Sequence, residues 1–165
     1  MLYDRDQRKQ LLERSQLHKI LAPRGWIFGE QYGVVVSDKG LTKVLQSHRQ
    51  LLGSESESIT PVAGDGGNPL IIDLFLSTVA ETQDGRRHLV VQLKRPSLTL
   101  TLRELNQIDN YALTIIGEPQ FAAEGVHWDF WLLGDDMDDK LRTKARQRNR
   151  LEGVVTEGDT YRVWA

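Results

Sequence analysis

The sequence predicts a mixed α/β sandwich, a central sheet flanked by helices, on three observations. Stretches with apolar residues at helical spacing alternate with apolar runs of strand length. Two neighbouring runs, Leu70 to Val79 and His88 to Lys94, are joined through Asp84-Gly85, the chemistry of a tight turn. That makes the middle of the sheet antiparallel and argues against a doubly wound parallel sheet. Finally, 165 residues, 39% apolar and 27% charged, suit one ordinary globular domain spanning residues 1–165 with its own core.

The elements follow in order. Leu11, Leu12, Leu17, Ile20 and Leu21 give Gln10 to Ala22 a helical stripe, stopped by Pro23 and Gly25. Trp26, Phe28 and Tyr32 surround Gly29 in a buried turn, read as core packing. A strand at Gly33 to Val36 comes next, broken by Ser37-Asp38 and Gly40. Leu41, Val44, Leu45 and Leu52 mark a short helix. Gly53 to Asn68, rich in Ser, Glu and Gly, has the composition of an exposed loop.

Pro69 opens the first hairpin strand, and Arg95-Pro96 closes the second because proline has no amide for the ladder. Thr101-Leu-Arg-Glu104 is a capping box, in which hydroxyl and carboxylate satisfy free amides of a first helical turn. The helix it starts buries Leu105, Ile108, Ala112 and Ile115 or Ile116 and closes at Gly117 and Pro119. Trp128 to Leu133 is a further strand. The acids of Asp135 to Asp139 cap a basic helix reaching about Gln147, and Val154-Val155 with Tyr161 to Trp164 form a last hairpin around Glu157-Gly158-Asp159.

Composition narrows the functional classes. Without cysteine there is no disulfide framework and no thiolate zinc site, which fits a reducing cytoplasm. His18, His48, His88 and His127 lack metal-ligand spacing, which argues against a histidine zinc centre. No signal peptide or membrane span is legible. A net charge of −2 does not favour nucleic acid, yet Lys140, Arg142, Lys144, Arg146, Arg148 and Arg150 follow one another with no acid between them. Such a run reads first as a solvated face and secondly as a contact for a DNA backbone.

Two polar interruptions stand out. Asp73 breaks the apolar run Leu70-Ile-Ile-Asp-Leu-Phe-Leu, and burying a carboxylate there is costly without a compensating cation or donor. Gln92 and Lys94 break Val90-Val-Gln-Leu-Lys, and strand alternation sends both to one face. A two-residue turn at Asp84-Gly85 would put Asp73 opposite Pro96. A loop that shifts the pairing by two or four residues would bring it across from Lys94 or Gln92, and a one-residue slip would part them. The residue types match a hard cation such as Mg2+ or Mn2+: Asp73 offers a carboxylate oxygen, Gln92 an amide oxygen and Leu93 its backbone carbonyl. Lys94 would orient a water or stabilise charge on a phosphate.

Ile-Asp73 with Val-Val-Gln92-Leu-Lys94 resembles the D…(D/E/Q)XK signature of PD-(D/E)XK phosphodiesterases, and Gln107-Ile-Asp-Asn-Tyr111 is similar to the QXXXY motif of their exonuclease-related branch. Further segments, Leu17-His-Lys-Ile-Leu21, Trp26-Ile-Phe-Gly29, Leu93-Lys-Arg-Pro96, Glu104-Leu-Asn-Gln107-Ile and Trp128-Asp-Phe-Trp-Leu-Leu, resemble Shedu-type nuclease domains of antiphage defence. They are also similar to domains found C-terminal to GHKL-type ATPases. The resemblance runs from about Glu13 to Trp164. It implies a restriction-endonuclease-like core, a metal-dependent DNA endonuclease activity, and roles for Gln107 and Tyr111 beside the metal site. It also implies an acid on the first helix, for which Glu13 is the best-placed match and Glu30 the second. Gln92 departs from the Glu of many relatives, and an amide binds a cation without neutralising it. The alternative is a catalytically inactive nucleic-acid-binding or oligomerisation module of the same fold. No sensing or motor motif is present, so control is expected from a homo-oligomer or from a fused or associated sensor or ATPase domain. The stop at Val163-Trp164-Ala165 reads as a boundary within a longer protein.

Overall fold

The computed structural model describes residues 2–54, 58–64, 67, 69–78, 83 and 85–165, with the side chains of 9, 12, 13 and 15–21 in the first helix. The chain runs α1 (Leu2–Leu21), a 3-10 turn (Gly25–Phe28), β1 (Tyr32–Gly40), α2 (Leu41–Leu51), β2 (Ile71–Thr78), β3 (Arg86–Leu93) and β4 (Thr99–Leu100). There follow α3 (Leu102–Gly117), a 3-10 turn (Pro119–Phe121), β5 (Val126–Leu133), β6 (Asp136–Met137), α4 (Asp139–Ala145), β7 (Val154–Glu157) and β8 (Tyr161–Trp164).

Six strands form a mixed sheet in the order β1-β2-β3-β5-β8-β7, flanked by helices. The β1/β2, β2/β3 and β7/β8 pairs are antiparallel, whereas β3/β5 and β5/β8 are parallel. The expected mixed sheet with an antiparallel central hairpin is therefore present. β2 and β3 are covered on both faces, which is why they read as nearly continuous apolar runs. One face carries Phe75, Val90, Phe130 and Val163 against Leu45, Leu105, Ile108 and Leu141. The other carries Leu74, Leu76, Leu89, Val91 and Leu93 against Phe28 and the α1 residues Leu17 and Leu21.

Within the first face Trp128 meets Phe75, Phe121, Phe130, His48 and His88. The two histidines are buried and bonded to each other, His48 Nδ1 to His88 Nε2 at 2.9 Å, and His88 Nδ1 lies 3.0 Å from Ser77 Oγ. Burial holds both neutral: His48 is lowered to about 4, and His88 to about 3 with a second contribution from His48.

Several expectations need correction. α1 begins at Leu2 rather than near Gln10. Trp26 is 65% exposed, so only Phe28 and Tyr32 of the aromatic turn pack in the core. β1 continues through Gly40: Asp38 takes a left-handed φ of 52°, and pairing resumes at Lys39↔Ile72 and Gly40↔Ile71. α4 ends at Ala145, short of Gln147. Asp84 of the expected two-residue turn lies outside the described residues. Gly85, however, has φ 87°, and a β-carbon there would fall on the Gly125 carbonyl oxygen, so this position needs glycine.

Candidate active site

Asp73 sits near the start of β2 and is 1% exposed. The β2/β3 ladder, read from Ser77↔His88, ends at Leu74↔Val91, while β2 stays paired with β1 as far as Ile71. Beyond that last rung the Leu93 amide donates to Asp73 Oδ2 at 2.7 Å. The carboxylate thus takes an N–H that the next rung would have given to a backbone carbonyl, and it lies at the edge of β3 where the two strands part. A charge-assisted bond of this kind offsets part of the cost of burying the ion. The Asp73 carbonyl in turn accepts from His18 Nε2 on α1 at 3.2 Å, which fixes the proton on that ring nitrogen.

The register of this hairpin is the one shifted by four residues from a two-residue turn. Carried one step past its last rung, it sets Asp73 opposite Gln92. Gln92 is 4% exposed, and its Oε1 has no hydrogen-bond partner among the described residues. Leu93 presents its amide to Asp73, and in an extended strand its carbonyl points to the same side. Lys94 closes the strand, its backbone amide donating to the Leu133 carbonyl of β5 at 2.8 Å.

The Lys94 side chain reaches α3, where its Nζ donates to Gln107 Oε1 at 2.5 Å. That helix is set by its start. Thr101 and Glu104 form the expected capping box, with the Thr101 amide and hydroxyl donating to Glu104 Oε2 at 3.0 and 2.7 Å. Burial pushes the Glu104 carboxyl up, but these bonds and the nearby Lys94 charge outweigh it and hold the group below its ordinary value. Tyr111, one turn after Gln107, is buried in the core under α3, whereas Gln107 is exposed.

The structure therefore brings Asp73, Gln92, Leu93, Lys94 and Gln107 to one end of the β2/β3 pair. Glu13 arrives by another route: its Oε2 accepts from Ser97 Oγ at 2.9 Å, which ties α1 to the loop after Lys94. Glu30 is exposed beside the 3-10 turn that precedes β1. Sequence reasoning missed His18 and Ser97, whose contacts span 55 and 84 residues of chain. The only local hint for His18 is its place between Leu17 and Leu21, the docking residues of α1.

As a donor set, a carboxylate, an unpartnered amide oxygen and a backbone carbonyl suit a hard divalent cation that keeps its remaining waters. Among the described residues there is no group of three or more His, Cys, Asp or Glu placed to hold a metal ion. Of the three donors Asp73, Gln92 and the Leu93 carbonyl, one is a carboxylate that would neutralise charge on a cation. The basic run after Asp139 is largely exposed but partly engaged. Arg142 meets Asp136 at 3.1 Å, Arg146 meets Glu152 at 3.7 Å, and Arg150 donates to the Val155 carbonyl at 2.7 Å. No helix among the described residues is long and apolar enough to cross a membrane. Comparison with protein-family models, curated proteins and solved structures finds no match.

Proposed function

We propose that this chain is a Mg2+- or Mn2+-dependent deoxyribonuclease, built on a PD-(D/E)XK core, that hydrolyses phosphodiester bonds in phage or other foreign DNA. The observation that carries the reading is the buried Gln92 Oε1 left without a partner, next to the Asp73 carboxylate at the parting of β2 and β3. A buried acceptor of this kind costs stability, and a ligand that takes it up accounts for its presence.

Asp73, Gln92 and the Leu93 carbonyl are the oxygens that would hold the cation. When bound, it supplies Lewis-acid stabilisation of the phosphate and a water of lowered pKa. The Lys94 ammonium balances negative charge that grows on the phosphate oxygens in the transition state. Gln107 is a positioning residue, holding that ammonium through its amide oxygen, and Tyr111 anchors the same helix in the core. Glu13 of α1 adds an acidic group held against the loop that follows Lys94 by its bond from Ser97.

Nicking of supercoiled plasmid in excess Mn2+ tests this. The wild-type chain is expected to cut, and Lys94→Ala and Asp73→Asn to lose ~10²–10³-fold in rate with unchanged melting temperatures. An uncut plasmid, or a Lys94→Ala chain as active as wild type, overturns the proposal. The single-carboxylate donor set favours a second reading, a non-catalytic module. If it binds nucleic acid, binding weakens steeply with salt and no cleavage follows; if it serves oligomerisation, DNA does not bind at all.

A further inference from the structure

The outer side of α3 is a polar stripe without acids. Arg103, Asn106, Gln107 and Asn110 are exposed, and their spacing keeps them within about 100° of the helix circumference. The side chains of Arg103, Asn106 and Asn110 have no hydrogen-bond or ion-pair partner among the described residues. The two acids of the helix are engaged elsewhere: Glu104 closes the capping box, and the half-buried Asp109 accepts from Thr156 Oγ1 of β7 at 3.1 Å.

Cations stand on both flanks of this stripe. On one flank Lys94 Nζ donates to Gln107 Oε1, which joins the stripe to the proposed site. On the other lies α4, whose start is fixed beside that of α3. β4 pairs with β6, and the Asp138 amide donates to the Leu100 carbonyl at 2.9 Å. Lys144 faces α3: burial raises the Asp109 carboxyl, and the bond from Thr156 and then the Lys144 charge oppose that rise. Lys140, one turn earlier on the same side of α4, is exposed and has no ion pair among the described residues. Asp139, the exposed acid of α4, lies about 100° round the helix from Lys140.

We propose that α3 enters the major groove of duplex DNA, where Arg103, Asn106 and Asn110 read base edges while Lys94 on one side and Lys140 with Lys144 on the other meet the two phosphate backbones; the inference rests on the nuclease reading above. A helix about 10–12 Å across fits the B-form major groove, about 12 Å wide and bordered by both backbones. An amide donates and accepts, as N7 and N6 of adenine require, and a guanidinium matches O6 and N7 of guanine. From Arg103 to Asn110 the helix rises about 10 Å, or about three base-pair steps. Leu113, 58% exposed at the edge of the same face, offers contact to a thymine methyl. The major groove of duplex RNA is too deep and narrow to admit this helix.

The test uses the full chain in EDTA, so that binding is read without cleavage. A pool of random-sequence DNA duplexes is enriched for bound members. The enriched duplex is then compared with a scrambled one, with its own single strand and with a copy carrying 7-deazapurines. That last change removes the N7 acceptors from the major groove and leaves the base pairs and the minor groove as they were. The enriched duplex is expected to bind about tenfold tighter than the other three. Asn106→Ala/Asn110→Ala loses the preference and keeps the affinity for scrambled duplex. Lys140→Ala/Lys144→Ala weakens binding to every duplex alike and lowers the slope of log affinity against log salt by about 2. No enrichment, indifference to 7-deazapurines, a single strand bound as tightly as the enriched duplex, or an unchanged preference in the asparagine variant overturns the assignment of α3. An unchanged salt slope in the lysine variant overturns the assignment of α4. A chain that reads duplexes in this way but does not cut in Mn2+ overturns the nuclease reading alone. One that cuts but shows no such preference overturns the groove assignment alone.

Discussion

At the scale of single residues, Gln92 sets stability against chemistry. An unsatisfied buried acceptor costs about 1–3 kcal/mol, so Gln92→Met, which keeps the length and removes the oxygen, is expected to raise the unfolding free energy by ~1 kcal/mol. The urea midpoint rises and metal-dependent cleavage disappears. Gln92→Glu has the opposite sign: it tightens Mg2+ about tenfold by calorimetry, ~1.4 kcal/mol, and destabilises the metal-free chain by placing a second carboxylate beside Asp73. The His48–His88 pair gives a pH dependence. Both rings are held below their unfolded value near 6.5, so the unfolded chain binds more protons between that pH and about 4. Their contribution is complete above pH 6.5 and declines as pH falls, by about 1.4 kcal/mol per pH unit for each histidine. Urea midpoints measured from pH 7.5 to 4.5 should follow this slope, and His88→Gln should flatten it. Asp73, Gln92 and Lys94 were legible as polar breaks in apolar strands. The histidine pair was not, because its partners are 40 residues apart and no local pattern marks them.

At the scale of elements, information carried by neighbouring residues was read well. The capping box of α3 is present as expected, and the Asp138 side chain caps α4 by accepting from the Leu141 amide at 2.8 Å. Thr101→Ala removes the first of these and is expected to cost about 1 kcal/mol. Because α3 carries Gln107, the same change should loosen the Lys94 ammonium and lower cleavage more than a cap change on α4, Asp138→Ala, that costs equal stability. Parallel melting and nicking assays on the two variants separate these effects. Register was harder. Turn chemistry at Asp84-Gly85 suggests a two-residue hairpin, but the strands pair four residues away from that register. Likewise Asp38 looked like a strand end, yet a single left-handed residue leaves the pairing on either side of it intact.

At the scale of the whole molecule, the antiparallel centre was legible because its strands adjoin in sequence. The parallel β3/β5 and β5/β8 contacts were not, since each joins strands separated by a crossover that leaves no mark on either run. Phe75 measures how strongly those layers depend on one another: it is fully buried and meets both Trp128 and His88. Phe75→Ala should cost ~3–5 kcal/mol in chemical denaturation, as large aromatic truncations in a core do. One consequence follows from the bond between Asp73 and the Leu93 amide. The carboxylate proposed to bind a cation also closes the end of a hairpin where its ladder stops, so alanine at position 73 would harm folding together with the proposed turnover. Asparagine retains an oxygen for that amide while surrendering the charge. Copies of this domain without the proposed hydrolysis would thus survive most readily by way of asparagine, and should be sought with that residue in place.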